Sequence, residues 1–168
     1  MRLADKVQGW LDRWEWDDVI DLDEENQSST LNFRFKIKDQ IFEIFVETDE
    51  KSDLLKFYFY PPIYALPQKF IDCAVLFNYI NSIYSGGSIA SDFDGNIRWS
   101  YFIRFRETDP SIKTINDAFA AGKELFEQWF DEISEVALTQ TTWQEILDRV
   151  DADSGKAVPD SIVYTFPS

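Results

Sequence analysis

The stretch "TLNFRFKIKDQIFEIFVET", residues 30–48, is read in steps of two. Phe33, Phe35 and Ile37 alternate with Arg34, Lys36 and Lys38, and Phe42, Ile44 and Val46 alternate with Glu43, Phe45 and Glu47. Side chains two apart share one face of a strand, so the stretch predicts two strands, each with an apolar face. A two-residue turn at Asp39 and Gln40 would set Phe35 opposite Ile44, Phe33 opposite Val46 and Ile37 opposite Phe42, with Lys36 meeting Glu43 on the other face. The run "LLKFYFY" (54–60) repeats the pattern, with Leu55, Phe57 and Phe59 on one side and Lys56, Tyr58 and Tyr60 on the other. Pro61 and Pro62 end it, because proline has no N–H for the ladder.

Around these strands the period changes to that of a helix. Leu3, Val7, Trp10, Leu11 and Trp14 form one face of a short amphipathic helix. The run "DLDEENQSST" (21–30) is too polar to bury and reads as a loop. Residues 66–84, with Pro67 in the first turn and Gly86 beyond the end, predict a largely buried helix. "SIASDF" (88–93) and "IRWSYFIRF" (97–105) predict a second hairpin around Asp94-Gly95-Asn96, pairing Phe93 with Ile97, Ser91 with Trp99 and Ile89 with Tyr101. Ile115, Ala118, Phe119, Gly122, Leu125, Phe126, Trp129, Phe130, Ile133 and Val136 then hold the helical period through a long helix. A shorter helix capped by Thr141 or Thr142 and a strand-like run "SIVYTF" (161–166) complete the chain. The expected fold is α+β: an antiparallel sheet of about five strands with helices packed on one face, in the order α-β-β-β-α-β-β-α, plus a C-terminal helix and tail, all in a single domain of residues 1–168.

A chain of 168 residues with 15 Phe and 45% hydrophobic residues can bury roughly 70% of its unfolded surface. Its net charge of -15 repels phosphate backbones and anionic lipids, so neither nucleic acid nor a membrane is an expected partner. The N-terminal "MRLADKVQGWLDRW" has no continuous apolar core, and the expected location is the cytoplasm. There is no histidine, and Cys73 lies in the apolar "FIDCAVLF" as a small hydrophobe. "DFDGN" (92–96) opens as a calcium loop would, but Ile97 and Ile103 stand where glycine and the bidentate acid should be, so it reads as a turn. "DADSG" (151–155) fails likewise at Ile162 and reads as a helix exit. Nothing sets apart the members of the pairs Asp17 and Asp18 or Glu24 and Glu25 for acid and base roles, and "SGGS" (85–88) lacks the lysine and the spacing of a phosphate loop. No catalytic residue, cofactor or metal site is predicted.

The element order, with "YSGGSIASDFDGNIRWSYFIRF" (84–105) joining two helices, resembles the YbjN family of bacterial proteins, described provisionally as sensory transduction regulators. The resemblance runs from about residue 28 to 137 and leaves 138–168 as a C-terminal extension. It rests on Asn78 and Asn81 near the end of the middle helix, the Gly87-x-Ile89 strand, the Asp-Gly turn, the alternating strand, and the helix opening near "TDPSIKTINDAF" (108–119). It implies a fold like that of type III secretion chaperones, small acidic proteins that bind an unfolded segment of a client and often dimerise. A protein or peptide partner, a homodimer and no enzymatic activity are what it implies for this chain.

If helices cover the Phe33 and Phe57 side of the sheet, the opposite face presents Arg34, Lys36, Phe45, Tyr58, Tyr60, Phe102, Arg104 and Arg106. Arg34, Phe45, Tyr58, Tyr60, Phe102 and Arg104 are the candidate binding residues, rings to anchor a peptide and charges to direct it. Against this stands a bland alternative, in which Glu43 and Glu47 neutralise the bases and "SIVYTF" covers the rings. A carboxylate- or metal-dependent enzyme and a purely structural dimerisation subunit are the other readings the sequence leaves open.

Overall fold

The computed structural model describes residues 1–106 and 108–154. Its elements are α1 (Arg2–Trp14), β1 (Asp21–Asp23), β2 (Ser28–Ile37), β3 (Gln40–Asp49), β4 (Leu54–Tyr60), α2 (Phe70–Ile83), β5 (Ser88–Ser91), β6 (Ile97–Arg104), α3 (Ile112–Leu138) and α4 (Trp143–Ser154). The strands make one antiparallel sheet in the order β1-β2-β3-β4-β6-β5, with the helices on one face. The α+β architecture expected from the periods is therefore present, with six strands among the described residues. The additional strand is β1, which lies in the segment read as a loop. All three of its residues are exposed, so it pairs by backbone alone and leaves no apolar alternation to read. "SIVYTF" lies outside the described residues.

The faces of the two hairpins follow the alternation, but their registers are each displaced by two residues. The first turn uses Lys38 and Asp39, both with left-handed backbone (φ 48° and 61°), the geometry that matches the twist of two flanking strands. Phe35 therefore faces Phe42, Phe33 faces Ile44, and Arg34, in place of Lys36, meets Glu43. In the second hairpin Ser91 faces Ile97 and Ile89 faces Trp99, because residues 92–96 are all spent on the loop. Asp92 builds that loop: one carboxylate oxygen accepts from the backbone N–H of Asp94 and of Asn96, each at 2.9 Å, and the other accepts from the Asn96 amide at 2.7 Å. The Asn96 amide foremost holds the Asp92 carboxyl below its usual range. Phe93, expected in the strand, is left at the tip of the loop and exposed.

The core lies between sheet and helices. Every apolar position read from the period of α3 is buried. In α1 the buried set is Leu3, Ala4, Val7, Trp10 and Leu11, while Trp14 is half exposed and donates its indole N–H to Asn116. The middle helix is less enclosed than its composition implies: Cys73, Leu76, Phe77 and Ile80 are buried, but Ile71 and Ile83 face outward. Lys69, in the 3-10 turn before α2, buries its ammonium against the Asp72 carboxylate (2.7 Å) and the Thr141 carbonyl (2.8 Å). The hydrogen bond from Lys69 holds the Asp72 carboxyl below its ordinary value. This ties the start of α2 to the start of α4, where Thr142 and Glu145 form a reciprocal capping box.

Two contacts fix the sheet against α2 and α3. The Asn81 side chain accepts from the Ile89 N–H (2.8 Å) and donates to the Ile89 carbonyl (2.9 Å), so α2 closes part of the open edge of β5 as a neighbouring strand would. Asn81→Ala leaves both backbone groups unpaired and is expected to cost about 1–3 kcal/mol in urea unfolding; an unchanged midpoint would show that the edge needs no cover. At Gly122 of α3, a Cβ would stand 2.6 Å from the Trp99 ring and 2.9 Å from Phe59. Alanine would gain up to about 1 kcal/mol of helix propensity, but overpacking costs typically ~1–3 kcal/mol. Gly122→Ala is therefore expected to destabilise despite the propensity gain, and a raised unfolding midpoint would contradict the contact.

Candidate functional site

With the helices on one side, the even-numbered residues of β2, β4 and β6 and the odd-numbered residues of β3 point to the other. The registers set them in rows across the strands. One row holds Arg34, Glu43 and Tyr60, with Arg98 next along β6. The next holds Asn32, Phe45, Tyr58 and Ser100, and the third Thr30, Glu47, Lys56 and Phe102. Arg104 lies beside Leu54 and Asp49 in the fourth.

Four rings run in contact through these rows. Phe45 meets Tyr60 edge-on at 5.6 Å, Tyr60 lies 6.5 Å from Tyr58, and Tyr58 meets Phe102 edge-on at 5.7 Å. The Arg98 guanidinium sits over the Tyr58 ring, 5.2 Å from its centre, an attraction between cation and ring quadrupole. Phe102, at one end, is 53% exposed, and the other three rings are half-buried. Burial among its neighbours, with Glu47 nearby, raises the Tyr58 phenol above its ordinary value.

The bases do not stand free of acids. Arg34 is 3.9 Å from Glu43, Lys56 is 3.5 Å from Glu47, and Lys36 is 2.9 Å from Asp39. The neutralising pairs envisaged from the sequence thus exist in part, with the partners set by the true registers. Arg104 has no ion pair among the described residues.

Of the six candidate residues, Arg34, Phe45, Tyr58 and Tyr60 line one open concavity of about 680 Å³, together with Ile41, Glu43, Glu47 and the segment Pro61, Pro62 and Tyr64. Phe102 joins it through the Tyr58 ring, while Arg104 lies further along β6, outside that concavity. Arg106 lies past the end of β6 in left-handed backbone and does not continue the row. Arg98 and Tyr64 are members of the face that the sequence reading does not single out. Arg98 shares the alternation of Phe102 and Arg104 and is legible in principle, whereas Tyr64 follows two prolines and reaches the face through an isolated bridge to Asn96 that no periodicity marks.

Away from this face, burial pushes the Cys73 thiol up to about 11, so the reactive thiolate is strongly disfavoured. No helix among the described residues is long and apolar enough to cross a membrane.

Neither a scan against protein-family models nor a search of curated proteins finds a match. Solved structures do share the fold. The chain is similar to YbjN from E. coli, described provisionally as a transcription regulator, with TM-score 0.52, 12% identity, and coverage of 77% of this chain and 92% of that one. It is also similar to a chain from the HopA1-SchA chaperone-effector complex, with TM-score 0.50, 16% identity, and coverage of 77% and 93%. At these identities the likeness is one of fold, and the chaperone-like α+β fold implied by the resemblance is the fold observed.

The ring packing can be read in a titration. Difference absorbance between the parent and Tyr58→Phe isolates the Tyr58 phenolate, whose midpoint is expected above the ordinary 10.0. Glu47→Gln should lower that midpoint by removing the neighbouring negative charge. A Tyr58 titrating at or below its ordinary value would mean that the ring is not packed as described.

Proposed function

We propose that this protein is a non-enzymatic, protein-binding module, a regulator or a chaperone-like protein, which takes a protein or peptide partner on the outer face of its sheet. The observation that carries this reading is the connected set Phe45, Tyr60, Tyr58 and Phe102, held on the face that no helix among the described residues covers and flanked by Arg34, Arg98 and Arg104. Rigid rings bury much area at little cost in side-chain entropy, and arginines at the rim steer and orient. The fold likeness supports the class, since the similar structures are a provisional regulator and part of a chaperone-effector complex. The reading treats residues 28–137 as the binding core of one domain and 138–168 as an extension, with α4 docked on α2 and α3. It places the protein in the cytoplasm, where its charge of -15 turns it away from nucleic acid and anionic membranes.

The test is a pull-down from extract of the source cell with the intact protein, followed by affinity measurement on the captured partner. Tyr58→Ala and Phe102→Ala are expected to weaken binding by ~2 kcal/mol or more where the ring is a central anchor. Arg104→Ala should mainly slow association and reduce its dependence on salt. Melting temperatures recorded alongside should change less than affinity. If all three variants bind like the parent, the partner sits elsewhere and this face is not the site.

A further inference from the structure

On the helix side of the sheet, α1 and the opening turns of α3 enclose a second concavity, of about 500 Å³, lined by Arg13, Trp14, Ile112, Lys113 and Asn116. Among the described residues no acid lines it, in a chain with 31 acidic and 16 basic residues. The two helices approach closely here, since a Cβ at Gly9 would stand 3.4 Å from the Ile112 side chain. α1 stops directly after Trp14, at Glu15 in left-handed backbone (φ 55°), and the chain turns Trp16 against Trp14. Their rings stack at 5.9 Å with 22° between the planes, yet Trp14 stays 51% exposed.

Asn116 decides the polarity of the concavity. An indole N–H can only donate, and Trp10 and Trp14 both donate to the same Asn116 oxygen, at 3.3 and 3.0 Å. The oxygen is thereby spent and the orientation of the amide fixed. Its NH2 group has no partner among the described residues and is not shut away from solvent. Arg13, next to Trp14 in the chain, likewise has no ion pair or hydrogen bond among the described residues. Lys113 differs, because Asp117 one turn further on holds its ammonium at 2.5 Å. The concavity therefore offers one uncommitted positive charge, one uncommitted amide donor, an exposed indole and the aliphatic Ile112.

We propose that this concavity is a binding site for a small aromatic carboxylate, a flat ring that carries one negative charge. The carboxylate accepts from the Arg13 guanidinium, whose fork matches two carboxylate oxygens, and from the Asn116 NH2, while the ring lies against Trp14 and Ile112. The charge count selects a monoanion. Lys113 is already neutralised by Asp117, so the second charge of a phosphate monoester would meet that carboxylate rather than a free cation. The volume falls within the range of small-molecule sites, about 300–1,000 Å³. With one free cation and an open mouth the affinity is modest, roughly millimolar for a ligand of this size. The site lies on the helix layer, away from the outer sheet face, and does not depend on the protein-binding reading of that face.

The two indole N–H groups that meet Asn116 report on the site directly. The full chain, labelled with 15N, is titrated with benzoate in ~150 mM salt, where charges beyond about 8 Å are screened. The indole N–H cross-peaks are followed, and Trp14→Phe identifies that of Trp14. A saturable shift of this peak is expected, with a midpoint of roughly a millimolar. Benzyl alcohol, which keeps the ring without the charge, should bind about tenfold more weakly. Cyclohexanecarboxylate, which keeps the charge without the flat ring, should bind several-fold more weakly, and phenyl phosphate no more tightly than benzoate. Arg13→Gln should weaken benzoate about tenfold with no change in melting temperature, because the exposed Arg13 holds no other element in place. Asn116→Asp keeps an oxygen for both indoles but puts a negative charge where the NH2 stood, and should weaken benzoate by at least about tenfold. If that variant lowers the melting temperature, Arg13→Gln alone decides. The absence of a saturable shift, an equal response to benzoate and benzyl alcohol, tighter binding of phenyl phosphate, or a folded variant at either position that binds benzoate like the parent would each overturn the proposal.

Discussion

The position of Trp99 governs the rest of the molecule. Its indole is fully buried between two glycines, Gly122 on α3 and Gly87 in the connection from α2 to β5. A Cβ at Gly122 would lie 2.6 Å from the ring and one at Gly87 would lie 2.5 Å from it. Gly87 also has left-handed backbone at φ 69°, so glycine there answers both a steric and a conformational demand. Between them the glycines let a helix backbone and a loop close on one large ring. The contact brings α3 down on β4 and β6, through Trp99 against Phe59 and Phe59 against Phe126 and Phe119. Phe42 on β3 packs in turn against Phe126 and Phe130. At the far side of the same layer, Trp10 and Trp16 close over Phe33, and Trp16 also reaches Phe35, which anchors α1 and its exit to β2.

Because the large apolar residues of the strands are committed to that layer, the opposite face is left to the other half of each alternation. It bears no helix among the described residues, yet it does not have the uniformly charged surface expected of a sheet side turned only to water. Phe45, Tyr58, Tyr60 and Phe102 are half-buried or exposed there, in contact with one another and with Arg98. Rings in mutual contact lose less area to water than the same rings scattered, which lets a solvent-facing sheet carry them. Their grouping on the central strands, with acids to one side and bases to the other, distinguishes this surface from the scattered exposed residues elsewhere, such as Ile71 on α2 or Val19 before β1.

How much of this was legible in the sequence divides along a physical line. Which side of the sheet a residue occupies depends only on alternation, and the helical face of α3 depends only on its period. Both are local properties, and Arg34, Phe45, Tyr58, Tyr60, Phe102 and Arg104 stand on the face assigned to them. Which residue faces which depends on where the chain reverses. At Lys38-Asp39 the reversal places two non-glycine residues in left-handed backbone, a preference that composition does not announce. At Asp92 the side chain itself closes the loop and takes residues that the alternation had assigned to strands. A shift of two residues preserves the faces and changes every partner. β1 escaped for a related reason: a strand held by backbone pairing at a sheet edge, with all its side chains exposed, leaves no pattern to detect.

That distinction bears directly on the candidate site. With the register expected from the sequence, Lys36 would have been the base beside Glu43 in place of Arg34. In the structure the turn at Lys38-Asp39 brings Arg34 level with Glu43, while the separate pairing of β3 with β4 sets Glu43 beside Tyr60 and β6 continues the same row to Arg98. The acids on β3 and the bases on β6 stand one strand spacing of about 4.8 Å to either side of β4, as the strand order requires. Which base shares a row with which acid is thus a property of register, set by turns whose conformations owe nothing to the surface they align. A sheet with the same residues on the same face, but with β2 paired two positions out on β3, would carry the same net charge and the same rings with Lys36, not Arg34, beside Glu43.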